Sequence, residues 1–236
     1  MATIAGRATR EESFYQKMAA GLAILILFAF GQFALRGMVD YRHAPLIVHV
    51  HGVAMASWLV LLVVQSTLAQ RMDLTLHRRL GWLGLGLVLA IPPLAIATCV
   101  AMLRAHAFPP FFTPSFFLVL VTVESLTFAG MVVAAIAMRR RTDWHRRLMI
   151  GAAIVLLEPA FGRLLPMPLM GPWGEWVAML LQLIAVAIVA RHDFTSRGKV
   201  HGATFLVGGI IVLIHVIDTL LGMAPPIVAF AGAIYG

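Results

Sequence analysis

A single cysteine, Cys99, stands in 236 residues. One thiol excludes a disulfide framework within the chain, and with it any multi-cysteine zinc or iron–sulfur centre. Charge is scarce as well. Only 12% of residues are Asp, Glu, Lys or Arg, against roughly 25% in a soluble globular chain, while 61% are hydrophobic and mean hydropathy is +0.93. That balance excludes a soluble domain. Also missing are a Ser/His/Asp triad, a Walker loop, a Gly-rich dinucleotide turn and the His-box of an iron hydroxylase. Nothing therefore marks a hydrolase, an ATPase or a desaturase, and the sequence leaves open whether the chain is an enzyme. The short alternating segments of an outer-membrane barrel are absent too, so helices are the expected element.

What is abundant is long apolar sequence. Windows of about 20 residues place spans at 16–37, 45–69, 79–104, 113–138, 146–165, 172–190 and 200–222. The expected fold is all-α, a polytopic transmembrane bundle of seven helices. It divides into a polar cytoplasmic N-terminus (1–15), the seven-helix domain (16–223) and an apolar tail (224–236), too short to span and expected at the periplasmic interface or packed back on the bundle. Some seventeen polar residues precede the first apolar run, which does not read as a cleaved signal peptide.

Fourteen of the eighteen Lys and Arg residues fall on one side of these spans, among them Arg71, Arg78, Arg79, Arg139, Arg140, Arg141, Arg146 and Arg147; Arg36, Arg42, Arg104 and Arg163 fall on the other. Cytoplasmic loops carry such an excess. The N-terminus is thus expected inside and the C-terminus outside, in a bacterial inner membrane crossed several times. A net charge of +8 in short juxtamembrane loops points to anionic lipid as partner rather than nucleic acid.

Two segments repeat. "LHRRLGWLGLGLVLAIPP" (76–93) and "WHRRLMIGAAIVLLEP" (144–159) each open with His-Arg-Arg-Leu and run apolar to a proline about four turns on. Corresponding interrupted helices in two halves of a membrane protein point to a binding site near their breaks. The LHRRLG and WHRRLM motifs, with a Glu-Pro helix following, resemble an uncharacterised family of bacterial multi-pass membrane proteins, which implies a helical inner-membrane protein without a mechanism. A second similarity is to cytochrome b561-like di-haem proteins: in "HGATFLVGGIIVLIH", His201 and His215 share a helix face. Neither His51 nor His145 has a matching second histidine, since Gln65 and Glu158 stand near those spacings.

Sorted by depth, His49, His51, Glu158, Arg163, His215 and Asp218 lie toward the periplasmic half, with Glu124 nearer the middle. Polar groups at membrane depth generally have partners or functions. Pro159 removes one backbone donor and leaves the carbonyl four residues earlier without its helix partner; Glu158 sits at that break. His215 and Asp218, three apart, share a face, so Asp218 is expected to orient the imidazole of a ligand histidine. His51 is the expected opposite ligand, ranked above His49, which points elsewhere. The candidate cofactor residues are His51, His215 and Asp218, the candidate metal ligands His51, Glu158 and His215, and His49, Glu124 and Arg163 complete the polar set. His77, His145 and His201 form a possible inner site.

Three functions fit these residues. The first is an electron-transfer protein holding haem b or a transition metal. The second is a proton-coupled carrier or small-molecule binder using the acids. The third is an accessory or assembly subunit bound to other membrane subunits.

Overall fold

The structure, a computed structural model, describes the backbone of residues 2–236 and the side chains of residues 13–236. Arg7 and Arg10, counted in the charge asymmetry, and most of the polar segment 1–15 lie outside the described side chains. In chain order the helices are α1 (Ala2–Leu35), α2 (Leu46–Gln70), α3 (Leu74–Arg104), α4 (Pro114–Ala137), α5 (Thr142–Val155), α6 (Glu158–Leu164) and α7 (Met167–Met170). A 3-10 turn (Gly171–Trp173) leads into α8 (Gly174–Arg197), followed by α9 (Gly202–Gly222) and α10 (Pro225–Tyr235). No strand occurs among the described residues.

Among the described residues, six stretches are long and apolar enough to cross a membrane: Ser13–Leu35, Leu46–Gln70, Leu74–Arg104, Pro114–Ala137, Met167–Arg197 and Gly202–Gly222. The protein is an all-helical bundle of the multi-pass membrane type. The segment expected as a seventh continuous span, 146–165, is instead two short helices, α5 and α6, separated by a turn at Leu156 and Leu157. Proline explains the break. Pro159 has no N–H to give Val155, and its ring disfavours helix in the residues before it.

Consecutive helices pack side by side: α1 on α2, α2 on α3, α3 on α4 and α4 on α5. The later helices close the bundle, α9 packing on α4, α5 and α8. Local sequence sets the ends. Asp73 accepts a hydrogen bond from the Leu76 amide and Thr113 from that of Phe116, satisfying donors that a helix start leaves orphaned. Gly198, at φ +73°, ends α8 in the left-handed conformation that glycine adopts freely.

The broken segment lies at the centre. Leu148, Ile150, Ala152, Ala153, Ile154 and Val155 are all buried, whereas Ile24, Phe28, Val53, Val60, Trp82 and Leu213 stand exposed on the outer faces. Such an apolar exterior suits lipid. Gly151 makes the central approach possible: a Cβ there would meet Val207 Cγ2 at 2.4 Å and Met131 Cε at 2.7 Å. The tail, α10, packs back on α3, α4 and α9, with Ala231 buried and Tyr235 against His106 and Phe108.

Candidate functional site

The break at Leu156 and Leu157 frees carbonyls inside the bundle, and one side chain takes them up. Gln182, fully buried on α8, donates its amide nitrogen to Ile154 O at 3.2 Å and Val155 O at 3.0 Å. Val155 is the residue four before Pro159, so this is the acceptor the proline orphans. With both amide hydrogens committed, Gln182 Oε1 must accept. It does so from His215 Nε2 at 2.7 Å. The other ring nitrogen, Nδ1, lies 2.5 Å from Glu175 Oε1, so one hydrogen is shared between imidazole and carboxyl. A proline in α6 thereby fixes, through one glutamine, a hydrogen on Nε2 of His215.

Around that triplet sit the other acids. Glu124 of α4, Glu158 of α6, Glu175 of α8 and Asp218 of α9 are buried and close enough to act on one another electrostatically. Arg163, at the far end of α6, acts on Glu158 and on His51 of α2. Glu158 and Arg163 form no ion pair; Arg163 donates to Pro159 O at 2.7 Å and lies over the Phe30 ring at 3.9 Å. Among the described residues, Glu124 Oε1, Glu158 Oε1, Glu175 Oε2, both Asp218 oxygens, His51 Nδ1 and Arg163 Nε are buried without a hydrogen-bond partner. Buried polar atoms are seldom left so. Seven such atoms lie in this one region of the described residues.

Several expected positions differ. The carboxylate on His215 Nδ1 belongs to Glu175, which reaches it from the facing helix, and not to Asp218. Both nitrogens of His215 are engaged, so it offers no free lone pair to a haem iron or metal; a bis-imidazole site with His51 does not fit these residues. No three His, Cys, Asp or Glu side chains among the described residues close into a metal-sized group, and His51, Glu158 and His215 do not meet as one. His49 stands exposed on the outside of α2.

The Arg-rich end carries a second buried network. The Arg147 guanidinium pairs with Asp193, and both are buried; Asp193 Oδ2 also accepts from Thr204 Oγ1 at 2.6 Å and from the His201 amide at 3.2 Å. Arg147, expected at the cytoplasmic edge of its span, is thus an interior cation. Asp143 closes the edge by accepting from Arg146 at 2.8 Å and Arg197 at 2.6 Å. Burial pulls the Asp143 carboxyl up, but the Arg197 hydrogen bond and the charges of Arg197, Arg146 and Arg147 outweigh it and hold it below the usual range.

The three inner histidines do not converge. His201 caps α9 by accepting from the Ala203 amide and meets Trp144 edge-on; burial, then the Arg147 and Arg197 charges, hold its imidazole below its ordinary range. The two repeat histidines do meet, their rings 6.3 Å apart. Each donates Nδ1–H to a carbonyl of the preceding helix, His77 to Gln65 O at 3.2 Å and His145 to Ala135 O at 2.8 Å. The His-Arg-Arg-Leu motif is therefore a clasp of two helical hairpins.

Sequence reasoning missed Glu175, Gln182 and Asp193. Their signal was present: Glu175 and Gln182 are seven apart and Gln182 and Asp193 eleven apart on α8, which puts all three on one helix face. Comparison with protein-family models, with curated proteins and with solved structures finds no match for this chain.

Proposed function

We propose that this protein is a proton-coupled carrier whose working site is the buried acid cluster of Glu124, Glu158, Glu175 and Asp218 with Arg163, His51 and His215. One observation carries the reading: four carboxyls from four helices share an interior region in which seven polar atoms have no partner. Unpaired charge inside a membrane protein is costly. Against four acids stand Arg163 and the hydrogen that His215 shares with Glu175, so the surplus is neutralised by protons or by a cationic ligand. Loading and release of either changes the charge of the same site, which is the physical basis of coupling. The haem and metal reading is less well supported, because His215 has no free nitrogen.

The remaining features take their place around this site. In the orientation we propose, α5 and α6 together make a seventh crossing, reaching end to end about 30 Å, and the Arg-rich end faces the cytoplasm. There a cleft of about 360 Å³ lined by Arg140, Arg141, Trp144 and His201 faces anionic lipid headgroups. The bilayer is a bacterial inner membrane in this reading.

Infrared difference spectroscopy of the purified protein across a pH titration tests the proposal. Buried carboxyls that take up protons give a carbonyl absorption that disappears on deprotonation, and Glu158→Gln, Glu124→Gln or Asp218→Asn should each remove part of it. A spectrum with no titrating buried carboxyl, or a haem Soret band in the visible spectrum, would overturn the assignment.

A further inference from the structure

We infer that an apolar layer of Ile150, Gly151, Val186, Val189 and Val207 is a dewetting gate that separates the acid cluster from the Arg147–Asp193 network, and that wetting it joins the two into a proton path. This rests on the acid cluster exchanging protons, as proposed above. The observation behind it is an order repeated on three helices. Along the buried face of α8 the residues run Glu175, Gln182, then Val186 and Val189, then Asp193. Along α9 they run Asp218, His215, then Ile211 and Val207, then Thr204. The α5–α6 segment runs Glu158, then Ile154, Gly151 and Ile150, then Arg147. Each presents polar, apolar and polar groups in the same sequence, and α5, α8 and α9 pack against one another.

The apolar layer is thin. Arg147 and Ile154 are seven residues apart, about 10 Å of helix. A cavity of about 10 Å³ lies within it, with Arg147 and Thr204 at one end and Ile150, Ile154, Val186 and Val207 as walls. That is room for about one water, which needs two to four polar partners to stay. Arg147 and Thr204 are already committed to Asp193, and the walls offer nothing. Gly151, pressed against Val207 and Met131, keeps the layer closed. A narrow apolar constriction of this kind blocks conduction by excluding water and opens when water enters. In the open state a hydronium at the Arg-rich end passes its proton along waters in the layer to a carboxylate of the cluster. That carboxyl gives a proton to water at the opposite end, so only protons move and no heavy-atom bond changes.

Proton flux into liposomes holding the protein and an internal pH-sensitive dye, driven by a potassium diffusion potential, tests this. Val186→Thr and Val207→Thr keep side-chain shape while adding a hydroxyl, and each should raise the flux several-fold, the double variant more. Adding Glu158→Gln and Asp218→Asn should return the flux toward that of the original protein. An unchanged flux in both single threonine variants and in the double variant, with infrared bands still showing titrating carboxyls, overturns the gate and leaves the acid cluster standing. A raised flux that persists without Glu158 and Asp218 also overturns it, since the path then bypasses the cluster. Absence of titrating carboxyls removes the gate together with the reading on which it rests.

Discussion

Gln182 ties three parts of the interior together, because two of its three hydrogen bonds satisfy groups, the Val155 carbonyl and His215 Nε2, that have no other partner, while the third adds to the Leu157 amide already on the Ile154 carbonyl. Leaving a buried donor or acceptor unpaired costs about 1–3 kcal/mol, and Gln182→Leu would strand His215 Nε2 and the Val155 carbonyl together. We expect a loss of about 2–4 kcal/mol, read as a lower unfolding midpoint in a detergent titration, with Gln182→Glu intermediate because a carboxylate still accepts from His215 but has no N–H to donate to the carbonyls. Equal stability of Gln182→Leu and the original protein would mean that water replaces the amide. His215 illustrates why residue type alone misleads. A histidine beside an aspartate in one helical register looks like a ligand with its orienting partner, yet the ring is claimed by Glu175 and Gln182 from the facing helix.

Among the helices, α5 and α6 decide the interior. The segment is short, broken and buried through its middle, so its contribution comes from packing and from the carbonyls it exposes rather than from apolar length. Small residues let neighbouring backbones approach closely in membrane bundles, and Gly151 is the tightest such point. Gly151→Ala should overpack this contact and cost about 1–3 kcal/mol, with Val207→Ala restoring part of the loss by removing the methyl groups it strikes. A double variant no more stable than Gly151→Ala alone would show that the strain lies elsewhere. The breaking of this segment was partly legible in advance: Pro159 announced an orphaned carbonyl, but which side chain would answer it was not.

For the molecule as a whole, the charge asymmetry makes a topological statement. Reporter fusions at Met72, Phe108, Arg140, Pro168 and Lys199 should alternate in, out, in, out, in if α5 and α6 together cross the membrane. A cytoplasmic signal from both Phe108 and Pro168 would end the seven-crossing arrangement. The apolar exterior and the buried acids point the same way, since lipid accepts the first and cannot accept the second.

The membrane class, the helical fold and six of its spans were settled by sequence alone, because a bilayer demands long apolar runs with internally satisfied backbones, and that demand is written residue by residue along the chain. That Glu124, Glu158, Arg163, His215 and Asp218 lie in apolar stretches of the chain was legible for the same reason. Which of them face one another was not, because azimuth about each helix and the choice of neighbours arise from packing between segments far apart in the chain. Only the tertiary structure set Glu175 and Gln182 on His215, turned Arg147 inward to Asp193, and placed an apolar layer between the two polar networks.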